Sequence, residues 1–389
     1  MRVAMVGTRG VPAHYGGFET AIEEIGWRLA GLGHDVVVYC RGAEEPRPDR
    51  YRGMELVHLP AARRKSVETL SHTLLSVGHL LTRRQRPDAA IVFNAANAPF
   101  LPLLRLRRVP VAVHVDGLEW QRSKWRGAGR RYYRIVEALS VRWADLLIAD
   151  AAGIADYYSD EFDALTELIA YGAPVQDEPG SARVVELGLQ PEGYHLVVAR
   201  FEPENHVLEI AEGYAASGAR LPLVVVGSAP YSDSYTGEIA ALAAADPRIR
   251  LLGGVWDQHL LDELYANALT YLHGHSVGGT NPSLLRAMGA GTAVRAFDVN
   301  FNREVLGDGA AYFTEAAELA ELLEAVEASP AGTRSEGVAL RERVRRLYRW
   351  DEVAERYAAL LDRLAGGQSR RGAVSGRRRV GARPPAHRW

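Results

Sequence analysis

A chain of 389 residues, 47% of them hydrophobic, is too long for one ordinary core and suits two domains of ~150–200 residues. No stretch approaches the ~18 unbroken apolar residues that span a bilayer, and the start Met1-Arg2-Val3-Ala4-Met5-Val6-Gly7 reads as a buried strand entering a glycine turn, not a secretory leader. The formal net charge of −2 hides a split: residues 1–175 carry 23 Lys+Arg against 20 Asp+Glu, residues 176–365 carry 16 against 28, and residues 366–389 carry seven Arg and no acid, which points to an anionic partner for the basic parts.

In chain order, short apolar runs alternate with helical patterns. The first half predicts strands at Arg2–Val6, Val36–Tyr39, Glu55–His58, Ala89–Phe93, Val109–Val115, Leu146–Ala149 and Leu165–Ala170, with amphipathic stretches at Glu19–Leu32, Val67–Leu81 and Tyr132–Trp143. The single cysteine, Cys40, closes one of these runs without a disulfide partner; it reads as an inert core thiol in a reducing compartment, so a cytoplasmic protein is expected. The pattern restarts after a Pro/Gly-bounded linker at 173–180. Strands then read at Tyr194–Ala199, Pro222–Val226, Ile249–Leu252, Thr270–His273 and Ala293–Ala296, and helices at Glu204–Ala216, Tyr235–Ala244, Asp257–Ala266, Ser283–Ala290, Ala316–Glu327 and Val338–Leu347. Such alternation predicts parallel sheets covered by helices on both faces. The expected fold class is therefore α/β, two Rossmann-like doubly wound domains facing across a cleft. The expected boundaries are 1–173, 174–350, a closing helix at 351–365, and a disordered basic tail at 366–389.

Two glycine-rich loops follow strands and open helices. The first, Gly7 to Glu19, contains Gly16 and Gly17 but lacks the dinucleotide pattern, and the next strand ends in Cys40-Arg41 with no acid for a ribose. It serves a ligand or is a roomy turn. The second, His273 to Pro282, offers Gly278, Gly279, Thr280 and Asn281 at the positive end of a helix, where a diphosphate would fit. There Asn281 or Ser283 can equally be a helix cap, and His273 or His275 a core residue. Arg200 ends the first strand of the second half and faces the ligand edge of an open sheet. It can bind phosphate bidentately or pair with Glu202 or Glu204.

Together with Val115-Asp116-Gly117-Leu118-Glu119-Trp120, Glu202-Pro203-Glu204-Asn205 and Phe301-Asn302-Arg303-Glu304, these motifs span about 1–365. On them the chain resembles bacterial family 4 glycosyltransferases, in particular a subgroup that includes rhamnosyltransferases of capsule and cell-wall polysaccharide assembly. The resemblance implies the B-type glycosyltransferase fold, a nucleoside-diphosphate sugar donor (dTDP- or UDP-linked), no metal, no cofactor, and retention of anomeric configuration. It implies a glycan or lipid-linked acceptor on the first domain and no nucleic acid partner. Asp116 and Arg200 become the candidate catalytic residues, with Asp116 alternatively a turn residue before Gly117. Gly16, Gly17, Arg200, Asn205, His275, Gly278, Gly279, Thr280, Asn281 and Arg286 become the candidate donor-binding residues. Asp150 reads as a helix N-cap.

The chain departs from the family in two places. Many relatives carry two glutamates eight residues apart, where this chain has Gly278 and Arg286. A glutamate at the second position accepts hydrogen bonds from ribose, whereas arginine can only donate. A lysine common near Glu204-Asn205-His206 is also absent. A nucleotide-sugar-binding protein without turnover is thus a competing expectation. A basic aromatic cluster (Trp120, Arg122, Lys124, Trp125, Arg126, Arg130, Arg131, Tyr132, Tyr133, Arg134) suits either an anionic membrane surface, giving a peripheral location at the inner face, or a plain solvated helix face.

Overall fold

The computed structural model describes residues 1–377 apart from 14–15, 43–47, 63–66, 116, 123–124, 126, 178, 228–232 and 375–376. The described chain divides into two compact units, Met1–Tyr171 with the segment from Trp350 onward, and Gly172–Arg349.

The first unit opens with β1 (Arg2–Val6), α1 (Gly17–Gly31), β2 (Asp35–Arg41), β3 (Arg50–Tyr51), β4 (Met54–Leu59) and α2 (Glu68–Thr82). It continues with β5 (Ala89–Phe93), α3 (Leu101–Leu106), β6 (Val111–His114), α4 (Ala128–Trp143), β7 (Leu146–Ala149), α5 (Ala152–Phe162) and β8 (Glu167–Leu168). Its sheet runs β3-β4-β2-β1-β5-β6-β7-β8, parallel except for the β3–β4 pair. The order reverses between β1 and β5, which places the Gly7 loop and the turn after β5 side by side. Asn97 ties them: its buried Nδ2 donates to Phe93 O at 2.8 Å and Gly7 O at 3.4 Å.

The second unit contains α6 (Ala182–Glu186), β9 (His195–Val198), α7 (Val207–Ala216), β10 (Leu223–Val226), α8 (Asp233–Ala245), β11 (Ile249–Gly253) and α9 (Gln258–Ala266). Then come β12 (Thr270–His273), α10 (Pro282–Ala290), β13 (Ala293–Phe297), α11 (Asn300–Leu306), β14 (Ala311–Phe313), α12 (Ala316–Ala328) and α13 (Pro330–Leu347). Its sheet runs β11-β10-β9-β12-β13-β14, with every pair parallel. Strands such as Leu223–Val226 are buried throughout, as a sheet covered on both faces requires.

The last helix, α14 (Trp350–Ala365), belongs to the first unit. Trp350, Val353, Ala354, Tyr357, Leu360, Leu361 and Leu364 recur at helical spacing on its buried face. Asp351 pairs with Arg28 of α1 at 2.7 Å, and Arg363 with Glu167 at 3.0 Å.

At the start of the stretch expected as a disordered tail, residues 369–372 are bound to the first unit. Ser369 Oγ donates to Asp145 Oδ1 at 2.6 Å, and the amides of Arg370 and Gly372 donate to the carbonyls of Asp145 (2.7 Å) and Arg142 (3.2 Å). Arg142 O is one of the C-terminal carbonyls of α4 that need donors, and the Gly372 amide supplies one. The N-cap of α5 is Ala151, one residue beyond Asp150.

Close backbone contact explains Gly337 of α13. A Cβ there would stand 2.0 Å from Gly291 O and 2.8 Å from Ala293 N. Alanine normally favours a helix interior over glycine by about 1 kcal/mol, but here the clash wins. Gly337→Ala is expected to destabilise the second unit by about 2–3 kcal/mol. Denaturant unfolding checks this, and a variant as stable as the parent overturns it.

Candidate functional site

In the second unit the sheet order reverses between β9 and β12, the place where open α/β sheets hold ligands at their carboxyl edge. The loops that leave these two strands carry Arg200 and the Gly278–Asn281 turn, and they are bound to each other. Asn205, buried, donates from Nδ2 to Arg200 O at 2.8 Å, and its Oδ1 meets His275 Nδ1 at 2.6 Å. Because the amide nitrogen faces a carbonyl, the amide oxygen is the acceptor and His275 Nδ1 carries the proton. Ser276 adds two donations to Glu204 O, from N at 2.9 Å and Oγ at 3.1 Å. Asn302 of α11 donates to His275 O (3.0 Å) and Phe297 O (2.8 Å), tying the β13 end to the same cluster.

Arg200 reaches outward with 48% of its side chain exposed, 3.6 Å from Glu202. An ion pair this long and this solvated is worth about 0–1 kcal/mol, so it does not compete seriously with a bound anion. Gly278 has φ +138, and a Cβ there would lie 3.1 Å from His275 Nε2; conformation and space both demand glycine. Asn281 is the N-cap of α10, its Oδ1 accepting from Ser283 N at 2.9 Å. Its side chain is therefore committed to the helix, and Pro282 supplies no N–H. What the turn can offer an anion is the backbone of Gly278, Gly279 and Thr280 at a helix start.

His206 stands near where the wider family has a lysine. It adopts φ +48, its Nδ1 meets Gly274 O at 2.7 Å, and its ring stacks on Phe297 at 3.9 Å. His273, by contrast, is a core residue. It is 3% exposed, and burial drives its pKa down to about 3.

Arg286 does not stand open in this crevice. Its Nε and Nη2 donate to Asp262 Oδ1 at 2.8 and 2.7 Å, and Nη1 donates to Gln258 Oε1 at 2.7 Å. These bonds clamp α10 to α9.

The remaining candidates fall in the first unit. Gly16 (φ +106) is the N-cap of α1 and Gly17 its first residue. Glu19 Oε1 accepts from Arg9 N at 3.2 Å, and a Cβ on Gly16 would meet Glu19 Oε2 at 2.3 Å. The chain thus already places a carboxylate at this helix start. Cys40 is buried against Gly10, and burial pushes its thiol up to about 11. Asp116, His14, Lys124 and Arg126 lie outside the described residues. In the basic aromatic cluster, Trp120 has Arg130 and Arg134 on its ring at 5.1 Å each, Arg122 pairs with Glu119 at 2.6 Å, and Tyr132 donates to Ala96 O at 2.8 Å. Arg130, Arg131 and Arg134 remain exposed.

Sequence reasoning passed over His114. It ends β6, fully buried, stacked on Phe93 (5.4 Å) and Tyr171 (5.8 Å) with Phe18 edge-on at 5.2 Å. Burial drives its pKa down to about 3, and that of buried His72 to about 4. The folded first unit therefore takes up these protons later than the unfolded chain does on acidification. Stability is full above pH ~6.5 and falls as pH drops toward 4, by up to about 1.4 kcal/mol per pH unit per histidine. His114→Phe is expected to flatten that slope by one proton between pH 6 and 4.5 in denaturant titrations; an unchanged slope refutes the assignment.

Among the described residues no group of three or more His, Cys, Asp and Glu side chains is placed to hold a metal ion, and no helix is long and apolar enough to cross a membrane.

Two family models match the chain in tandem: a glycosyl transferase 4-like domain over residues 16–172 and glycosyl transferases group 1 over residues 186–345. The α-maltose-1-phosphate synthase of Mycolicibacterium smegmatis is 27% identical across 91% of this chain and 97% of its own. Among solved structures, sucrose-phosphate synthase from Thermosynechococcus elongatus superposes with a TM-score of 0.78 at 20% identity, covering 94% of this chain and 99% of that one. Anabaena HepE in complex with UDP-glucose superposes at 0.74 with 15% identity, covering 93% and 99%. With one model on each unit and a fold shared along its length, the chain belongs to the family 4 glycosyltransferases of the two-Rossmann, B-type fold.

Proposed function

We propose that the chain transfers a sugar from a nucleoside-diphosphate donor, seated on the second unit, to a glycan or lipid-linked acceptor in cell-surface polysaccharide synthesis. The observation that carries this reading is the junction at the β9/β12 switch point, where the Asn205 bonds bring Arg200 and the Gly278–Thr280 turn to one sheet edge. A guanidinium and a helix start on one crevice suit a diphosphate. The UDP and UDP-glucose held by HepE support a donor of this class. As the sugar–phosphate bond breaks, negative charge grows on the leaving diphosphate, and these groups stabilise it without reorganising. Retention of configuration, independence from metal and a dTDP-rhamnose donor rest on the motif resemblance, as does work at the inner membrane face.

The clamped Arg286 favours a second reading, a donor-binding protein with little turnover, since no acceptor for ribose stands at that position. One assay separates the two. The protein is incubated with UDP-, dTDP- and GDP-sugars and a lipid-linked glycan extract, and released nucleoside diphosphate is followed. Acceptor-dependent release of one diphosphate is expected, and its absence across the panel favours the second reading.

Arg200→Ala is expected to lower kcat/KM by about 10²–10³ with little change in thermal stability, because its side chain is half exposed and weakly paired. Near-normal turnover and donor affinity in that variant overturn the site. Arg286→Glu sets a second carboxylate beside Asp262 and is expected to cost about 1–2 kcal/mol of stability without tightening donor binding; isothermal titration with the donor nucleotide checks it, and a clear gain in affinity refutes the clamp.

A further inference from the structure

On the first unit, away from either glycine loop in sequence, α4 and α5 build a recess that Arg377 fills. Its Nη2 donates to Glu137 Oε2 at 2.6 Å and lies 3.2 Å from the Tyr157 hydroxyl, while Nη1 donates to Glu161 Oε2 at 2.6 Å. The guanidinium sits 4.8 Å from the centre of the Phe162 ring. Tyr157 donates its own O–H to Glu137 Oε2 at 3.0 Å. Two carboxylates meet the two terminal nitrogens of one guanidinium, and an aromatic face lies against its plane. That arrangement matches arginine's planar fork, and an ammonium cannot span it.

The lining residues of the recess all come from two helices of the first unit. Glu137 projects from the middle of α4, and Tyr157, Glu161 and Phe162 all belong to α5. Glu137 has only 5% of its side chain exposed. A carboxylate buried that deeply is costly unless a cation accompanies it. Burial pushes its pKa up to about 7 even against the pull of Arg377, the foremost of the groups that lower it. The backbone contacts of residues 369–372 with the end of α4 lead the chain toward this point.

We infer that the recess of Glu137, Tyr157, Glu161 and Phe162 is a binding site for the guanidinium of an arginine-bearing peptide, and that the chain's own C-terminal segment occupies it through Arg377. The inference is independent of the glycosyl-transfer reading. The tail is thereby a detachable ligand, so a chain ending at Gln368 leaves the site open to a separate peptide of residues 369–389. Titration calorimetry of that peptide into the shortened protein is expected to show one site. Arg377→Ala in the peptide should weaken binding at least about tenfold, and Arg377→Lys should also weaken it, since one ammonium cannot bridge both carboxylates. Arg379→Ala should stay within about twofold, as should the parent peptide's salt-matched control. Glu161→Gln in the shortened protein should weaken the parent peptide comparably to Arg377→Ala. Equal binding of the parent and Arg377→Ala peptides, or no binding of either, overturns the inference. If the shortened chain does not fold, the full chain with Arg377→Ala is compared with Arg379→Ala by hydrogen exchange at the Arg370 and Gly372 amides. Faster exchange only in Arg377→Ala supports the latch, and equal protection in both refutes it.

Discussion

The two hydrogen bonds of the Asn205 side chain hold the second unit's crevice together. Strands β9 and β12 lie side by side, but their loops leave toward different helices, and nothing in the sheet itself binds those loops to each other. Asn205 does so by giving its amide nitrogen to Arg200 O and its oxygen to His275 Nδ1. The consequences run outward from there. With its carbonyl pinned, Arg200 presents only its side chain as a variable. With its tautomer set, His275 turns the opposite edge of its ring toward Gly278, where only glycine fits. A buried amide that satisfies two partners at once is a demanding arrangement, since losing either leaves a polar group unpaired at about 1–3 kcal/mol. That cost is what makes the junction stiff. A stiff junction is what a site needs if it is to meet developing charge with groups already in position.

The sheets were the most legible part of the sequence, and for a simple reason. Runs such as Ala89–Phe93, Leu146–Ala149 and Thr270–His273 are buried on both faces, so their apolar composition is continuous and their ends fall where polar residues resume. Elements without that signature were missed. Residues 95–106, with Pro99 and Pro102, carried no predicted element yet form a 3-10 helix and α3, where Pro102 is tolerated because it stands in the first helical turn. The edge strand β14 is three residues long and half-exposed, too short to show a period. In the site, the residues that could be read are those whose backbone is unusual, the glycines and the strand-end arginine. Those that could not be read depend on partners distant in sequence. The fate of Arg286 is decided by Asp262 and Gln258 on another helix, and the places of Ser369 and Arg377 by Asp145, Glu137 and Glu161, more than 200 residues earlier. Charge composition alone made both arginines look like free cations.

The charge split of the sequence carries less information about ligand binding than its size suggests. The second half is strongly acidic, and a nucleoside diphosphate is an anion, so the overall field opposes the proposed donor. At physiological salt, however, that field is screened beyond about 8 Å. Within that distance the cationic groups are Arg200 and the positive end of α10, with Glu202 3.6 Å from Arg200 as a weakly paired acid. Most of the acids lie instead on solvated helix faces, as Glu318, Glu321 and Glu324 do on α12. Local geometry therefore outweighs composition at this site.

The same reasoning bears on what Arg286 replaced. A carboxylate at that position would stand beside Asp262, and two carboxylates near one another must either share a proton, separate, or bind a cation. A glutamate that engages ribose hydroxyls needs Asp262 turned away or differently paired. In this chain the arginine pairs with Asp262 directly, and Asp262 also accepts from Gln176 at 2.6 Å. Against the glutamate that the family resemblance implies at this position, the arginine offers a ligand no carboxylate and instead clamps α9, α10 and the start of the unit. Any ribose recognition must then come from backbone groups or from other side chains of the crevice.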